Sequence, residues 1–256
     1  MAIAWARTRA LGQPLRIDVD ANGGASRTNG ASQVGPVDWD VPTQGTVIGT
    51  LLNYRGEMAA LGDAMHTAPH LAPPRAPVLY IKPANTWIPH GAPIPMPANL
   101  DTIAVGAALG VVIGTAATRV VPARALDCVE GFTIVNDVHS PNSNLLQFAL
   151  RERCRDGFCP IGPWVIERAA ITNPDALRVR VFVNDTERAT ATTADLVRSI
   201  ATLIADVSEF MTLSSGDVLL AGIPESAPTA RVGDRVRIEI EGIGALENPV
   251  VREARP

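Results

Sequence analysis

Between His70 and Leu100 the chain reads HLAPPRAPVLYIKPANTWIPHGAPIPMPANL, with eight prolines in thirty-one residues. Each proline fixes its own φ and pushes the residue before it toward extended geometry, so this passage cannot be helical. It must be built from strands and ordered loops, and the residues around it point the same way. Val105 to Ile113, Phe132 to Asp137, Trp164 to Glu167, Val179 to Asn184, Asp217 to Leu220 and Arg235 to Glu241 are short apolar or alternating runs, most of them bounded by Gly, Asn, Asp or Pro. Upstream, Leu15, Ile17 and Val19 alternate with polar residues as a short edge strand does, and residues 21 to 35 turn polar without any period. Gly45 to Leu52 reads as a strand, followed by one or two helical turns ending near Met65. One longer helix is expected over about 193–210: Thr192 precedes Thr193-Ala194-Asp195 as a cap, and Leu196, Ile200, Leu203, Ile204 and Val207 recur at three- and four-residue spacing. The fold class is therefore α+β with a dominant β core. A principal domain over 45–256 is preceded by an N-terminal strand and irregular segment over 1–44.

Composition narrows the function classes. Lys and Arg number 22 against 26 Asp and Glu, a formal charge of −4 with no basic stripe, so nucleic acid is not an expected partner. Aromatic residues make up only 4%, too few to suggest stacking platforms, and recognition must rest on polar groups. The N-terminal MAIAWARTRA lacks a signal-peptide core and no window reaches membrane-spanning length, so a cytoplasmic protein without membrane association is expected. Cys128, Cys154 and Cys159 have neither zinc-type nor redox spacing and read as free thiols in a reducing compartment.

Several short stretches carry more than their composition. Tyr80-Ile81-Lys82-Pro83-Ala84-Asn85-Thr86, Val111-Val112-Ile113-Gly114 and Gly131-Phe132-Thr133-Ile134-Val135-Asn136-Asp137 come first. Arg155-Asp156-Gly157-Phe158-Cys159-Pro160-Ile161-Gly162-Pro163, Asn184, Gly216-Asp217-Val218, Gly222-Ile223-Pro224 and Gly233-Asp234 follow. Any one of these is weak, but in this order and spacing, over roughly residues 45 to 251, the chain resembles the fumarylacetoacetate hydrolase-like superfamily. Cys154 to Gly162 and the closing Leu246-Glu247-Asn248-Pro249-Val250-Val251 more narrowly resemble a half, or separate small subunit, of the family's decarboxylase/isomerase branch. The resemblance implies a mixed β-sandwich roll, aromatic catabolism, an unsaturated 2-oxo dicarboxylate substrate, and pairing with a second copy or a metal-bearing homologous subunit. A non-catalytic pairing or scaffold subunit and a fumarylpyruvate- or acylpyruvate-type hydrolase are the alternatives.

The family's strategy, chelating a 2-oxo acid on Mg²⁺ or Mn²⁺, implies a Glu-x-Glu-Leu pattern before V-V-I-G and a third ligand from the Asn-Asp pair. Aligned on Leu109 to Gly114, the two glutamate positions are Gly106 and Ala108, and Asp137 is the single family ligand left. One carboxylate holds a hard divalent cation weakly, so no tightly bound metal is expected in this chain, and Mg or Mn is expected in an intact partner. Other departures cluster with these. The lid's His and Glu positions are Glu57 and Ala60, the usual Ser-Ala-Arg-Asp is His139-Ser140-Pro141-Asn142, and Gly222-Ile223-Pro224 replaces Gly-Thr-Pro. Arg153 stands where a lysine is usual, and a guanidinium does not act as a base.

Read residue by residue, Asp137 is a relic ligand, a base, or a turn-forming Asp, the last being favoured. Lys82 and Arg153 form a cationic pocket for a dicarboxylate, or Arg151-Glu152-Arg153 is a solvated face. His139 offers a base near the old metal position, against the blander reading of an exposed loop histidine. Tyr54, Arg55, Asp156 and Gly222 are expected substrate contacts on the resemblance, although the Gly and Pro around Asp156 suggest that it holds a turn. His66 and His70 are four apart, but Pro69 between them and the lack of a carboxylate partner argue against a metal site.

Overall fold

A computed structural model describes residues 1–9, 13–20, 25–27, 38–68, 71–141, 150–225 and 227–254. His70, Asn142 and most of the polar stretch 21–35 lie outside the described residues. In chain order the N-terminal strands are β1 (Ala2–Thr8), β2 (Leu15–Val19), β3 (Ala25–Arg27) and β4 (Trp39–Asp40). Then come β5 (Val47–Leu51), helix α1 (Arg55–Leu61), β6 (Val78–Lys82), β7 (Trp87–Pro89), β8 (Ile94–Met96), β9 (Ile103–Ala104), β10 (Ala107–Ile113), α2 (Pro122–Ala125), β11 (Val129–Asn136) and α3 (Leu150–Arg153). The C-terminal part holds β12 (Cys159–Glu167), β13 (Arg178–Val183), β14 (Thr186–Thr192), α4 (Ile200–Phe210), β15 (Val218–Leu220), β16 (Thr229–Ala230), β17 (Arg235–Ile240) and β18 (Gly244–Arg252).

The strands form an 11-stranded sheet ordered β3-β2-β1-β12-β11-β10-β15-β5-β6, with β4 on β1 and β7 on β12, and a five-stranded sheet ordered β14-β13-β17-β18-β8. Local sequence accounts for each kind of strand. All seven residues of β10, AALGVVI, are buried, as a strand covered on both faces requires, whereas β17 alternates Arg235, Arg237 and Glu239 outward with Val236, Ile238 and Ile240 inward. The proline-rich passage supplies β6, β7 and β8, and its residues past Pro77 contain no α-helix. The strands β1 to β4 extend the larger sheet: β1 pairs with β12, and Ala4 and Ala6 are fully buried in the main core.

The helix expected over about 193–210 is shorter. Thr192 caps only a 3-10 turn, because Thr193 is drawn inward, its Oγ1 donating to Pro174 O at 2.8 Å and accepting from Leu177 N at 2.8 Å. Leu196 is then extended, and α4 starts at Ile200 under a second cap, Ser199, whose Oγ accepts from Thr202 N at 3.2 Å. The predicted stripe holds from there: Ile200, Leu203, Ile204 and Val207 are fully buried, each worth roughly 1.5–3 kcal/mol of apolar burial.

Candidate functional site

Strand alternation places Tyr80 and Lys82 on one face of β6, while Ile81 between them points outward and is 51% exposed. Tyr80 needs room, and Gly49 opposite it on β5 gives it: a Cβ there would fall 2.0 Å from Tyr80 Cζ. Asp137 directly follows β11, and Arg153 ends α3. These four side chains meet in the interior. Lys82 Nζ lies 2.7 Å from Asp137 Oδ1, Arg153 Nη1 lies 2.8 Å from Asp137 Oδ2, and the Tyr80 hydroxyl donates to the same Oδ2. The Arg153 guanidinium also sits over the Tyr80 ring, 5.1 Å from its centroid.

The electrostatics follow from that packing. Burial alone would raise the Asp137 carboxyl, but Lys82 and Arg153, helped by His139, hold it down at about 2. Lys82 also donates to Val138 O at 3.1 Å and Arg153 O at 2.6 Å, so its three N–H groups have three acceptors. His139 Nδ1 lies 3.0 Å from Asp137 O, and burial together with Arg153 lowers its imidazole to about 4 against the pull of Asp137, leaving it neutral at pH 7. Burial pushes the Cys159 thiol up to about 12, an inert sulfur.

The other residues singled out by sequence lie apart from this cluster. Tyr54 is buried at the N-cap position of α1, where burial, Asp195 and Glu225 raise its hydroxyl. Arg55 is exposed and donates from Nη1 to Ala194 O at 2.9 Å. Asp156 is exposed and accepts from Asn85 Nδ2 at 2.7 Å beside Gly157, whose φ is +72°. Gly222, at φ +124°, packs its backbone against Asn53 and Tyr54. Two residues that sequence reasoning did not assign to the site belong to its surroundings. Tyr80 was visible as the i−2 neighbour of Lys82 on a strand, and Glu57 as the residue in the lid's histidine position.

The family's metal does not fit the residues present. Gly106 and Ala108 bring no side-chain oxygen, and both oxygens of Asp137 are engaged by cations. The backbone has also closed over the first position: a Cβ on residue 106 would lie 2.4 Å from Asp137 O. Gly106 N donates to Asn136 Oδ1 at 3.1 Å, and Asp137 N donates to Gly106 O at 2.8 Å, which fixes that approach. Among the described residues no group of three or more His, Cys, Asp or Glu side chains is placed to hold a metal ion.

The sheets and the order of these motifs define a class, and sequence comparison agrees: the family described as Fumarylacetoacetate (FAA) hydrolase C-terminal matches residues 46–251. The chain belongs to this family. It is 39% identical over 210 residues to a 4-hydroxyphenylacetate degradation bifunctional isomerase/decarboxylase of Escherichia coli, covering 82% of this chain and 48% of that protein. The chain thus spans about half the length of the curated relatives it matches first. Among solved structures, a 2-hydroxyhepta-2,4-diene-1,7-dioate isomerase from Mycobacterium marinum superposes with a TM-score of 0.79 at 27% identity, covering 100% of both chains. A maleylpyruvate hydrolase from Sphingobium sp. SYK-6, solved with manganese (II) ion and pyruvate, gives 0.72 at 26% identity over 87% of this chain and 76% of that one. No helix among the described residues is long and apolar enough to cross a membrane.

Proposed function

We propose that this chain is a subunit of a decarboxylase/isomerase of 4-hydroxyphenylacetate catabolism, the enzyme that acts on 5-carboxymethyl-2-oxo-hex-3-ene-1,7-dioate and 2-hydroxyhepta-2,4-diene-1,7-dioate. In this reading its own metal centre is replaced by a buried ion cluster, and it works in the cytoplasm as an oligomer, with itself or with a homologous metal-bearing subunit that holds Mg or Mn. The observation that carries the reading is the occupation of Asp137 by Lys82 and Arg153, which turns the remaining family ligand into the anchor of a cationic cluster. Two cations against one carboxylate leave a net positive charge, which favours a dicarboxylate over a neutral substrate. Within the cluster Arg153 meets the substrate carboxylate, while Lys82, with its donors fully used, holds Asp137 and two main-chain carbonyls in place. Tyr54, Arg55, Asp156 and Gly222 lie apart from this cluster, so in this reading they act as outlying substrate contacts and not as part of the charged centre. The lack of oxygen donors at positions 106 and 108 disfavours the hydrolase alternative, because the manganese-bound neighbour represents a site type whose ligands are missing here.

The test is decarboxylation of 5-carboxymethyl-2-oxo-hex-3-ene-1,7-dioate by the purified chain with Mg²⁺, with EDTA, and after addition of a homologue that retains Glu-x-Glu. Activity insensitive to EDTA, or activity that appears only with the homologue, is expected. Full activity that EDTA abolishes in the chain alone overturns the replaced-metal reading, and silence under all three conditions overturns the pathway assignment.

A further inference from the structure

Strand β11 ends at the buried ion cluster, and a separate cavity of about 270 Å³ opens beside its first half. Phe132, which lines that cavity, precedes Asp137 by five residues, about 17 Å along an extended strand, and packs in the main core. Ile171 and Pro174, both buried, complete an apolar floor with it. The rim comes from the 3-10 turn Arg168–Ala170 and the link after it, where Arg168, Ala169 and Thr172 are all exposed. Ile171 N donates to Arg168 O at 3.1 Å, so one closed turn presents both the apolar floor and the cationic rim.

Charge around this cavity is one-sided. The Arg168 guanidinium has no ion-pair or hydrogen-bond partner among the described residues. The neighbouring carboxylates are engaged elsewhere: Glu167 lies 3.7 Å from Arg16, Asp127 pairs with Arg124, and Asp175 accepts from Ile200 N at 2.7 Å. Glu130 precedes Phe132 by two residues, but it lies near Glu167 and does not line the cavity. An apolar floor under one uncompensated cation and one hydroxyl matches a molecule with an apolar body and a single anionic end. Size sets the body: an apolar cavity of about 150 Å³ holds a benzene ring, so this one takes a ring with a short carboxylate arm. Phe132 supplies an aromatic partner for that ring.

We propose that this cavity is a binding site for a small aromatic monocarboxylate, its ring on Phe132, Ile171 and Pro174 and its carboxylate at Arg168 and Thr172. The site is distinct from the Asp137 cluster, makes and breaks no bond, and does not depend on the pathway reading above.

The experiment titrates the full chain with phenylacetate by calorimetry and ligand-observed NMR, beside phenylacetamide, which keeps the ring without the charge, and acetate, which keeps the charge without the ring. Arg168→Gln removes the cation and Ala169→Trp fills the cavity from its rim; both positions are exposed, and thermal melts check that each variant folds. Expected is saturable binding of phenylacetate with a Kd of about 1 mM or tighter. Binding should weaken roughly tenfold for phenylacetamide and for phenylacetate on Arg168→Gln, and disappear on Ala169→Trp. Acetate should not bind. The inference is overturned if phenylacetate does not bind the wild-type chain, if acetate or phenylacetamide binds equally well, or if either variant binds phenylacetate as the wild-type chain does. The wild-type comparison of the three ligands decides the matter even where a variant fails to fold, and none of these outcomes bears on the decarboxylase/isomerase assay.

Discussion

Two ion networks in this molecule use the same side-chain chemistry under opposite conditions. In the interior, Lys82, Asp137 and Arg153 are respectively 0%, 0% and 5% exposed. On the outer face of the smaller sheet, Arg180 and Arg237 both reach Glu239 and both lie over the Phe182 ring, at 5.3 and 4.1 Å from its centroid, while Arg235 reaches Asp185 at 2.6 Å. In the second network water competes for every charge and salt screens it. In the first, each ion gave up its hydration on folding and is retained only because its partners are all in place. The buried network is thus fragile to single changes and indifferent to salt, and the outer network is the reverse.

The largest expected effect comes from removing one buried partner. Lys82→Met leaves the Asp137 carboxylate half-paired in the interior and should destabilise the fold by about 3–5 kcal/mol in urea denaturation, with little change between 0.05 and 0.5 M NaCl. Adding Asp137→Leu to Lys82→Met should cost less than the sum of the two single changes, since the uncompensated charge is then gone. Additivity of the two, or a strong salt dependence, would mean that the cluster is not acting as one buried unit.

Acid should separate the networks next. Asp137 ionises at about 2 in the folded chain, below its ordinary value of 3.8, so the stability it supplies is fully present above roughly pH 4 and is lost as pH falls through 2. The loss is roughly 2–3 kcal/mol. His139, lowered to about 4 from 6.5, acts in the same direction over a higher window: the unfolded chain binds the extra proton, so stability falls as pH drops from 6.5 toward 4. His139→Gln should flatten that upper part of the acid limb and move the lower part slightly to higher pH, because Asp137 loses the help of the imidazolium, as followed by thermal melts from pH 7 to pH 3.

Glu57 is expected to oppose both. Its folded value of about 7 lies above the ordinary 4.5, so the folded chain holds the extra proton and stability declines as pH rises from 4.5 through 7. Discounted for its partial exposure, the effect is about 1–2 kcal/mol. Glu57→Gln should therefore melt higher than the wild-type chain at pH 8 and match it only below pH 4.5. Equal melting temperatures at pH 8 would show that the carboxyl is well solvated.

Much of this arrangement was legible in the sequence because it follows from short-range rules. The prolines dictate β6 to β8, the continuous apolar run of β10 announces a strand covered on both sides, and the i, i+2 spacing of Tyr80 and Lys82 fixes their common face. The missing glutamates at 106 and 108 were equally readable. What was not legible depends on distant partners. Thr192 has the look of a helix cap, but the pull of Pro174 and Leu177 on Thr193 delays α4 to Ile200. The strand β14, TERATAT, has no buried residue and so no apolar alternation to reveal it; its partner β13 makes it a strand. Arg151-Glu152-Arg153 has the pattern of a solvated face, yet Asp137, sixteen residues earlier, draws Arg153 inside while Arg151 stays exposed. The Asp137 carboxylate and the two main-chain carbonyls around Lys82 are likewise invisible without the fold.

The smallest expected effect closes the comparison from the outer face. Arg180 is 39% exposed at its side chain and Arg237 26%, and each shares Glu239 and the Phe182 ring with the other. When Arg237 is replaced by Ala, Arg180 remains to pair with Glu239 and to cover Phe182, so the loss should stay below about 1 kcal/mol and shrink further in 0.5 M NaCl. The part that salt does not remove measures the cation–π and packing contribution of the guanidinium over Phe182, because stacking on a ring is screened far less than an exposed ion pair. A loss of 3 kcal/mol or more at either salt concentration would place this face in the same class as the buried cluster, as burial of the face against another chain would do, and the distinction between the two networks would have to be redrawn around the oligomer.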